Sequence, residues 1–128
     1  MATGFPAITG DVLSAAMYNG LVAFTVTTQS GATYTVANTD LYQVAILTSN
    51  ASTKTITIAP DSTLTSAATG SAITFINTGA GLLTFAAGAG VTIVSAGATS
   101  AAPTLAQYKA ATCIRTAANS WIIVGAIA

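Results

Sequence analysis

The chain has 128 residues, with three basic and three acidic side chains, no His and 5% charged residues, against roughly 25% in an ordinary soluble domain. Glu is absent too, so most acid, base, nucleophile and metal chemistry lacks its usual side chains, and the expectation is a non-enzymatic protein with no catalytic residue, cofactor or metal. Lys54, Lys109 and Arg115 are too few to grip a phosphate backbone or an anionic lipid surface, which excludes nucleic acid and charged membranes as expected partners.

The length fits one domain. Low charge with 52% hydrophobic residues argues against disorder, although much of that apolar fraction is alanine. A formal net charge of zero removes long-range self-repulsion and favours association. No apolar stretch is long enough for a transmembrane helix, and Met1 to Gly10 carries no basic leader, so synthesis in a cytoplasm is expected. The lone Cys113 agrees with that compartment.

In chain order, Ala2 to Ile8 is too short to build a core, yet it carries Phe5 and Ile8. The spacing then predicts a short helix from Asp11 to Gly20, capped by Asp11 and stopped by Gly20, with Met17 and Tyr18 among its side chains. Beyond Gly20, β-branched residues punctuated by Gly, Asn, Asp and Ser predict strands. They are expected at 22–28, 33–37, 42–48, 54–59, 72–77, 82–86, 91–95, 110–116 and 120–126. Thr55-Ile56-Thr57-Ile58 alternates most clearly, which predicts isoleucines inward and threonines outward. Thr is β-favouring and uncharged, so a Thr-covered sheet is solvated and yet open to burial without desolvating ions.

Gly79-Ala-Gly81 and Gly88-Ala-Gly90 are expected to form tight hairpin turns. They are not expected to cradle phosphate, because a strand rather than a helix follows each. Gly97 to Pro103 is expected as a surface loop, and Trp121-Ile-Ile-Val124 as a strand that is central or lies at a subunit contact. The expected fold is all-β: an antiparallel β-sandwich or jelly-roll-like barrel with one short N-terminal helix. Residues 1–22 form the arm and helix, and residues 23–128 form the sandwich.

Asp11, Asp40 and Asp61 are the only side-chain carboxylates, and each has a structural role in prospect: a helix cap, a turn after Asn38-Thr39, and a Pro60-Asp61-Ser62 turn. Cys113 has no His partner and is expected to be inert and buried. Tyr18, Tyr34, Tyr42, Tyr108 and Trp121 are candidates for stacking sugars, set against the simpler expectation of core or contact positions.

The opening Gly10-Asp-Val-Leu-Ser-Ala-Ala-Met-Tyr-Asn-Gly-Leu-Val22 resembles one common in small structural proteins of tailed-bacteriophage virions. The strand ending in Pro60, the Gly79 to Gly81 turn, the Gly88 to Ile93 strand and the closing run from Tyr108 to Gly125 are similar to the body of those proteins. The resemblance implies a homotrimeric β-sandwich on a capsid or a fibre. The expected function is a capsid decoration or cement protein that binds and stabilises the major capsid protein shell, located on the virion surface. Phe5, Ile8, Met17, Tyr18 and Trp121 are the candidate capsid or subunit contacts. The alternatives are a tail-fibre or receptor-binding domain for host surface glycans and, third, a bacterial adhesion or self-assembling β module.

Overall fold

The computed structural model describes residues 25–128. The expected arm and the Asp11 to Gly20 helix lie outside the described residues. Among the described residues the fold is all-β, with ten strands: β1 Val26–Gln29, β2 Thr33–Thr35, β3 Ala45–Thr48, β4 Lys54–Ile58, β5 Ala72–Asn77, β6 Leu83–Ala87, β7 Thr92–Ser95, β8 Thr104–Leu105, β9 Ala110–Ala117 and β10 Ser120–Gly125. The expected strands recur within a few residues, because alternating Ile/Phe/Val and Thr/Ser marks a half-buried strand whatever its partner.

The strands form a six-stranded sheet, β1-β3-β5-β9-β10-β7, and a four-stranded sheet, β2-β4-β6-β8. From β1 to β6 successive strands alternate between the sheets, so the chain winds as a coil. Each new coil lays its strands parallel to those of the coil before: Val26 pairs with Ala45, Ile46 with Phe75, Thr33 with Thr55 and Ile56 with Phe85. After β6 the winding breaks. β8 runs antiparallel to β6, β9 enters antiparallel to β5, and β10 returns along β9 in a hairpin and takes β7 as a parallel edge.

The antiparallel expectation is therefore corrected: five of the eight described pairings are parallel and three antiparallel. From β1 to β9 consecutive strands lie in different sheets, and parallel neighbours need long connections of this kind. The glycine turns are corrected for the same reason. Gly79 to Gly81 links β5 to β6 and Gly88 to Gly90 links β6 to β7, so both cross between sheets rather than close hairpins. Glycine is needed at 81 because the corner of one coil rests on the corner below, where a Cβ would run into the Ser52 carbonyl.

One core fills the space between the sheets. Ile46, Ile73, Phe75, Cys113, Trp121 and Ile123 contribute from the larger sheet, and Ile56, Ile58, Leu83, Phe85 and Leu105 from the smaller. Phe75 and Phe85 meet edge to face across the layers, with ring centroids 5.5 Å apart and planes at 69°, a favoured aromatic geometry. Asn77 closes one end of β5. Its Nδ2 donates to the carbonyls of Gly81 and Leu105, both at 2.9 Å, and its Oδ1 accepts from Thr48 Oγ1 at 3.2 Å and Gly79 N–H at 3.1 Å. A buried amide in that position costs little only because both of its ends are satisfied.

The strand expected from Tyr42 starts instead at Ala45, because a 3-10 helix occupies Asn38–Tyr42. Asp40 bends the chain there: its carboxylate accepts the Ala37 N–H at 2.8 Å. The short β8 went unseen because two residues carry no alternation. Thr99 to Ala101 are exposed, as expected of a surface loop, and Ser95 and Ser100 clasp its base through reciprocal hydrogen bonds of 2.8 and 3.0 Å.

Candidate functional surface

Both described side-chain carboxylates, with Tyr34, Lys54 and Arg115, are tied into structure, whereas Tyr108 and Lys109 are exposed. Asp40 is buried, and Tyr34 donates its phenol hydrogen to it at 2.6 Å. Burial first, and then that hydrogen bond, push the Tyr34 hydroxyl well above its ordinary range. Asp61 accepts from Arg115 Nη2 at 2.7 Å and Nε at 3.2 Å, and from the Asn119 backbone N–H at 2.9 Å. The Arg115 guanidinium, ahead of the Asn119 N–H, holds its carboxyl below the usual carboxylate range. The two carboxylates thus serve separate networks, each locking a turn.

Lys54 is buried at the start of β4, where its Nζ donates to the Gly31 carbonyl and burial lowers its pKa. Cys113 faces the core, and burial pushes its thiol upward, away from the reactive thiolate. Among the described residues, no three of His, Cys, Asp and Glu cluster as metal ligands would.

Of the expected contact and stacking residues, Tyr34, Tyr108 and Trp121 have described side chains, Trp121 in the core, Tyr34 packed against it and Tyr108 on the surface. Phe5, Ile8, Met17 and Tyr18 lie outside the described residues. Trp121 is 1% exposed in the core, and its indole N–H has no partner among the described residues. That placement makes Trp121 a core residue rather than a sugar platform within the chain. Tyr108 is different: it is 78% exposed and sits at a φ of 61°, a conformation unusual for a bulky residue. Its backbone N–H donates to the Asn77 carbonyl at 2.6 Å, which holds the loop between β8 and β9 in place.

The largest feature is the outer face of the six-stranded sheet. Side chains alternate across a strand, so the burial of Ile73, Cys113, Trp121 and Ile93 turns their neighbours outward. The register then lines up one apolar row across four strands: Ala72 beside Ile114, Ile114 beside Ile122, and Ile122 beside Val94. In the next row Thr74 and Thr112 share a hydrogen bond of 3.0 Å between their hydroxyls, with Val124 alongside. No strand position on this face carries a charged side chain. Val94 and Val124 are 47% and 43% exposed.

The four-stranded sheet presents a contrasting outer face. There Thr33, Thr55, Thr84 and Thr104 align across all four strands. One sheet is thus covered by hydroxyls and the other largely by hydrocarbon. Sequence reasoning found the outward threonines from the Thr55 to Ile58 alternation, but it missed the apolar row, whose members come from strands distant in sequence.

No family model matches the chain, and no curated protein or solved structure matches it.

Proposed function

We propose that this chain is a non-catalytic structural protein of a tailed-phage virion, a decoration or cement protein that binds the major capsid protein shell and stabilises it. The observation that carries the assembly role is the uncharged outer face of the six-stranded sheet. Such a face is docked without stripping water from ions, which is the main cost of burying a surface. The engagement of Asp40 and Asp61 in turn-locking contacts supports a scaffold rather than a reaction centre.

The virion setting rests on the resemblance of the Gly10 to Val22, Gly88 to Ile93 and Tyr108 to Gly125 runs to phage structural proteins. In this reading the two sheets form a sandwich-like body. The segment 1–22, with Phe5, Ile8, Met17 and Tyr18, serves as arm and short helix for attachment to the shell. Three copies per particle are what the resemblance implies.

The deciding experiment adds purified protein to shells of the parent particle that lack it. Co-sedimentation in saturable amount, with higher resistance of the shells to heat, is the expected result. Failure to sediment with shells at any concentration overturns the reading. A second reading, glycan recognition, is favoured by one observation, the exposed Tyr108 ring. Tyr108-dependent binding on a glycan array would establish it in place of the first.

A further inference from the structure

We propose that the turn from Gln107 to Lys109, between β8 and β9, is a point at which this protein holds the shell: the Tyr108 ring enters an apolar hollow of the shell subunit, and the Lys109 ammonium meets a carboxylate at its rim. The inference rests on the virion reading and adds to it residues that the sequence did not single out as shell contacts.

The first observation is a residue out of place. The Lys109 N–H donates to the Ala106 carbonyl at 3.3 Å, which closes a four-residue turn with Tyr108 in its third position at a φ of 61°. Glycine or asparagine suits that position, and a bulky side chain is strained there. The other positive φ outside glycine among the described residues falls on Asn119, a type that tolerates it. Packing does not compensate Tyr108, which is 78% exposed. A tyrosine that strains its turn and gains nothing inside the chain points to a contact outside it.

The second is rigidity. Asn77 clamps the turn at two points: its carbonyl accepts the Tyr108 N–H at 2.6 Å, and its N–H donates to the Lys109 carbonyl at 3.0 Å. Gln107 Nε2 adds a bond to the Thr78 carbonyl at 3.2 Å. The ring is therefore carried on a fixed backbone, so docking it orders little that was free. Large aromatic anchors on such supports carry much of the energy of protein contacts. The turn leads into Ala110, which lies beside Ile76, and Ile76 beside Leu47, an outward row of the uncharged sheet face. A protein surface covers ring and row together, whereas a sugar covers the ring alone.

The third is charge, and it separates the shell from a second copy. Among the described residues Lys109 is the only exposed charged side chain: Lys54 and Asp40 are buried, and Asp61 and Arg115 neutralise each other. Its partner has to bring a carboxylate that the described part of this chain does not hold free. A different protein with an acidic rim fits, and the same surface of another copy does not. One ammonium is also too little to hold nucleic acid.

The test is co-sedimentation with shells that lack the protein, at concentrations that half-saturate the unaltered chain. Tyr108→Asn is expected to melt no lower than the unaltered protein, because asparagine suits the turn better, yet to bind shells about tenfold more weakly or worse. Tyr108→Phe keeps the ring and is expected to bind nearly as well as the unaltered protein. Lys109→Gln is expected to bind less tightly at low salt and to lose much of the salt dependence of the unaltered protein, as changes to rim charges do. The control Thr33→Asn, at an exposed position of the smaller sheet, should bind unchanged. Shell binding that survives Tyr108→Asn overturns the proposal. So does a control that loses binding, or a Lys109→Gln variant with the salt dependence of the unaltered protein. A Tyr108→Asn variant that melts well below the unaltered protein gives the ring an internal role and overturns it too. A lower particle mass for either variant in light scattering would make the turn a contact between copies, and Tyr108-dependent capture on a glycan array would make it a sugar site; both results overturn the proposal. Unaltered protein that ignores shells refutes the virion reading and this assignment together, whereas shell binding indifferent to both residues refutes the assignment alone.

Discussion

Asp61 and Arg115 are joined by a two-point ion pair, 2.7 Å through Nη2 and 3.2 Å through Nε, which fastens the turn after β4 to the outgoing strand of the β9–β10 hairpin. The Asn119 N–H adds a third bond to the same carboxylate, and the Asn119 side chain accepts the Asp61 N–H at 2.8 Å. Asn119 sits at a φ of 50°, so the pair also braces a left-handed turn residue in the type that tolerates it best after glycine.

A pH dependence follows. The folded-state pKa of Asp61 is lowered, so its stabilising contribution is fully present above the ordinary carboxylate pKa and is lost as pH falls through the lowered one. Asp61→Asn is expected to melt a few degrees below the unaltered protein at neutral pH, with the gap closing below about pH 4. Melting curves of both proteins across that range check it, and a gap that persists undiminished in acid contradicts it.

Trp121 is expected to behave as a core residue. Trp121→Ala should lose about 3–5 kcal/mol in denaturant titrations, the range for emptying a large aromatic site. Trp121→Phe should lose clearly less. It leaves a smaller cavity and removes an indole N–H that is buried without a partner among the described residues, a group whose desolvation costs about 1–3 kcal/mol. Native fluorescence should be blue-shifted and move to the red on unfolding.

The strands were legible because their alternation is local. Ile56 and Ile58 are wholly buried, with Thr55 and Thr57 beside them facing out, as the sequence predicts. Their partners were not legible. The coils differ in length, since the chain from β4 to β5 carries a loop that buries Leu64, and unequal coils leave no fixed repeat to detect. Gly79 to Gly81 misled because the same composition serves a hairpin turn and a coil corner stacked on its neighbour; the choice depends on Ser52, far earlier in the chain. The structural roles of Asp40 and Asp61 were readable from their turn sequences. Their partners Tyr34 and Arg115 were not, because nothing local links Pro60-Asp61 to β9.

Gly81 supplies a test of that coil corner. Gly81→Ala drives a methyl group into the Ser52 backbone, which has no flexible end to move aside, and should lose about 1–3 kcal/mol or more, as overpacked sites do. Gly70 is the comparison. It has a φ of 93° and open space around its Cβ direction, so Gly70→Ala meets only backbone strain of about 1–2 kcal/mol. Urea titrations of the two variants should rank Gly81→Ala as the more damaging, and the reverse order would mean that the corners are not stacked.

Asn77 is the last and most demanding case, since its amide ties three corners together: Thr48 below it, Gly79 and Gly81 in its own turn, and Leu105 in the short β8. Removing the amide in Asn77→Ala takes a donor from the Gly81 and Leu105 carbonyls and the acceptor from the Thr48 hydroxyl in a buried site, while the Gly79 N–H keeps the Thr48 carbonyl, and about 3 kcal/mol of stability should be lost. Asn77→Asp is the sharper variant because the two side chains have nearly the same shape. The carboxylate keeps the bonds accepted from Thr48 and Gly79, but it turns lone pairs toward the Gly81 and Leu105 carbonyls, which need donors. It also places a buried charge with no cation among the contacts of the Asn77 side chain. Asn77→Asp should therefore be less stable than Asn77→Ala at neutral pH and recover as the solution is acidified, since protonation gives the carboxyl one donor for those carbonyls. Denaturant titrations at neutral and acidic pH measure the difference. An Asp variant as stable as the unaltered protein at neutral pH would mean that water reaches this corner and that the amide does not hold it closed.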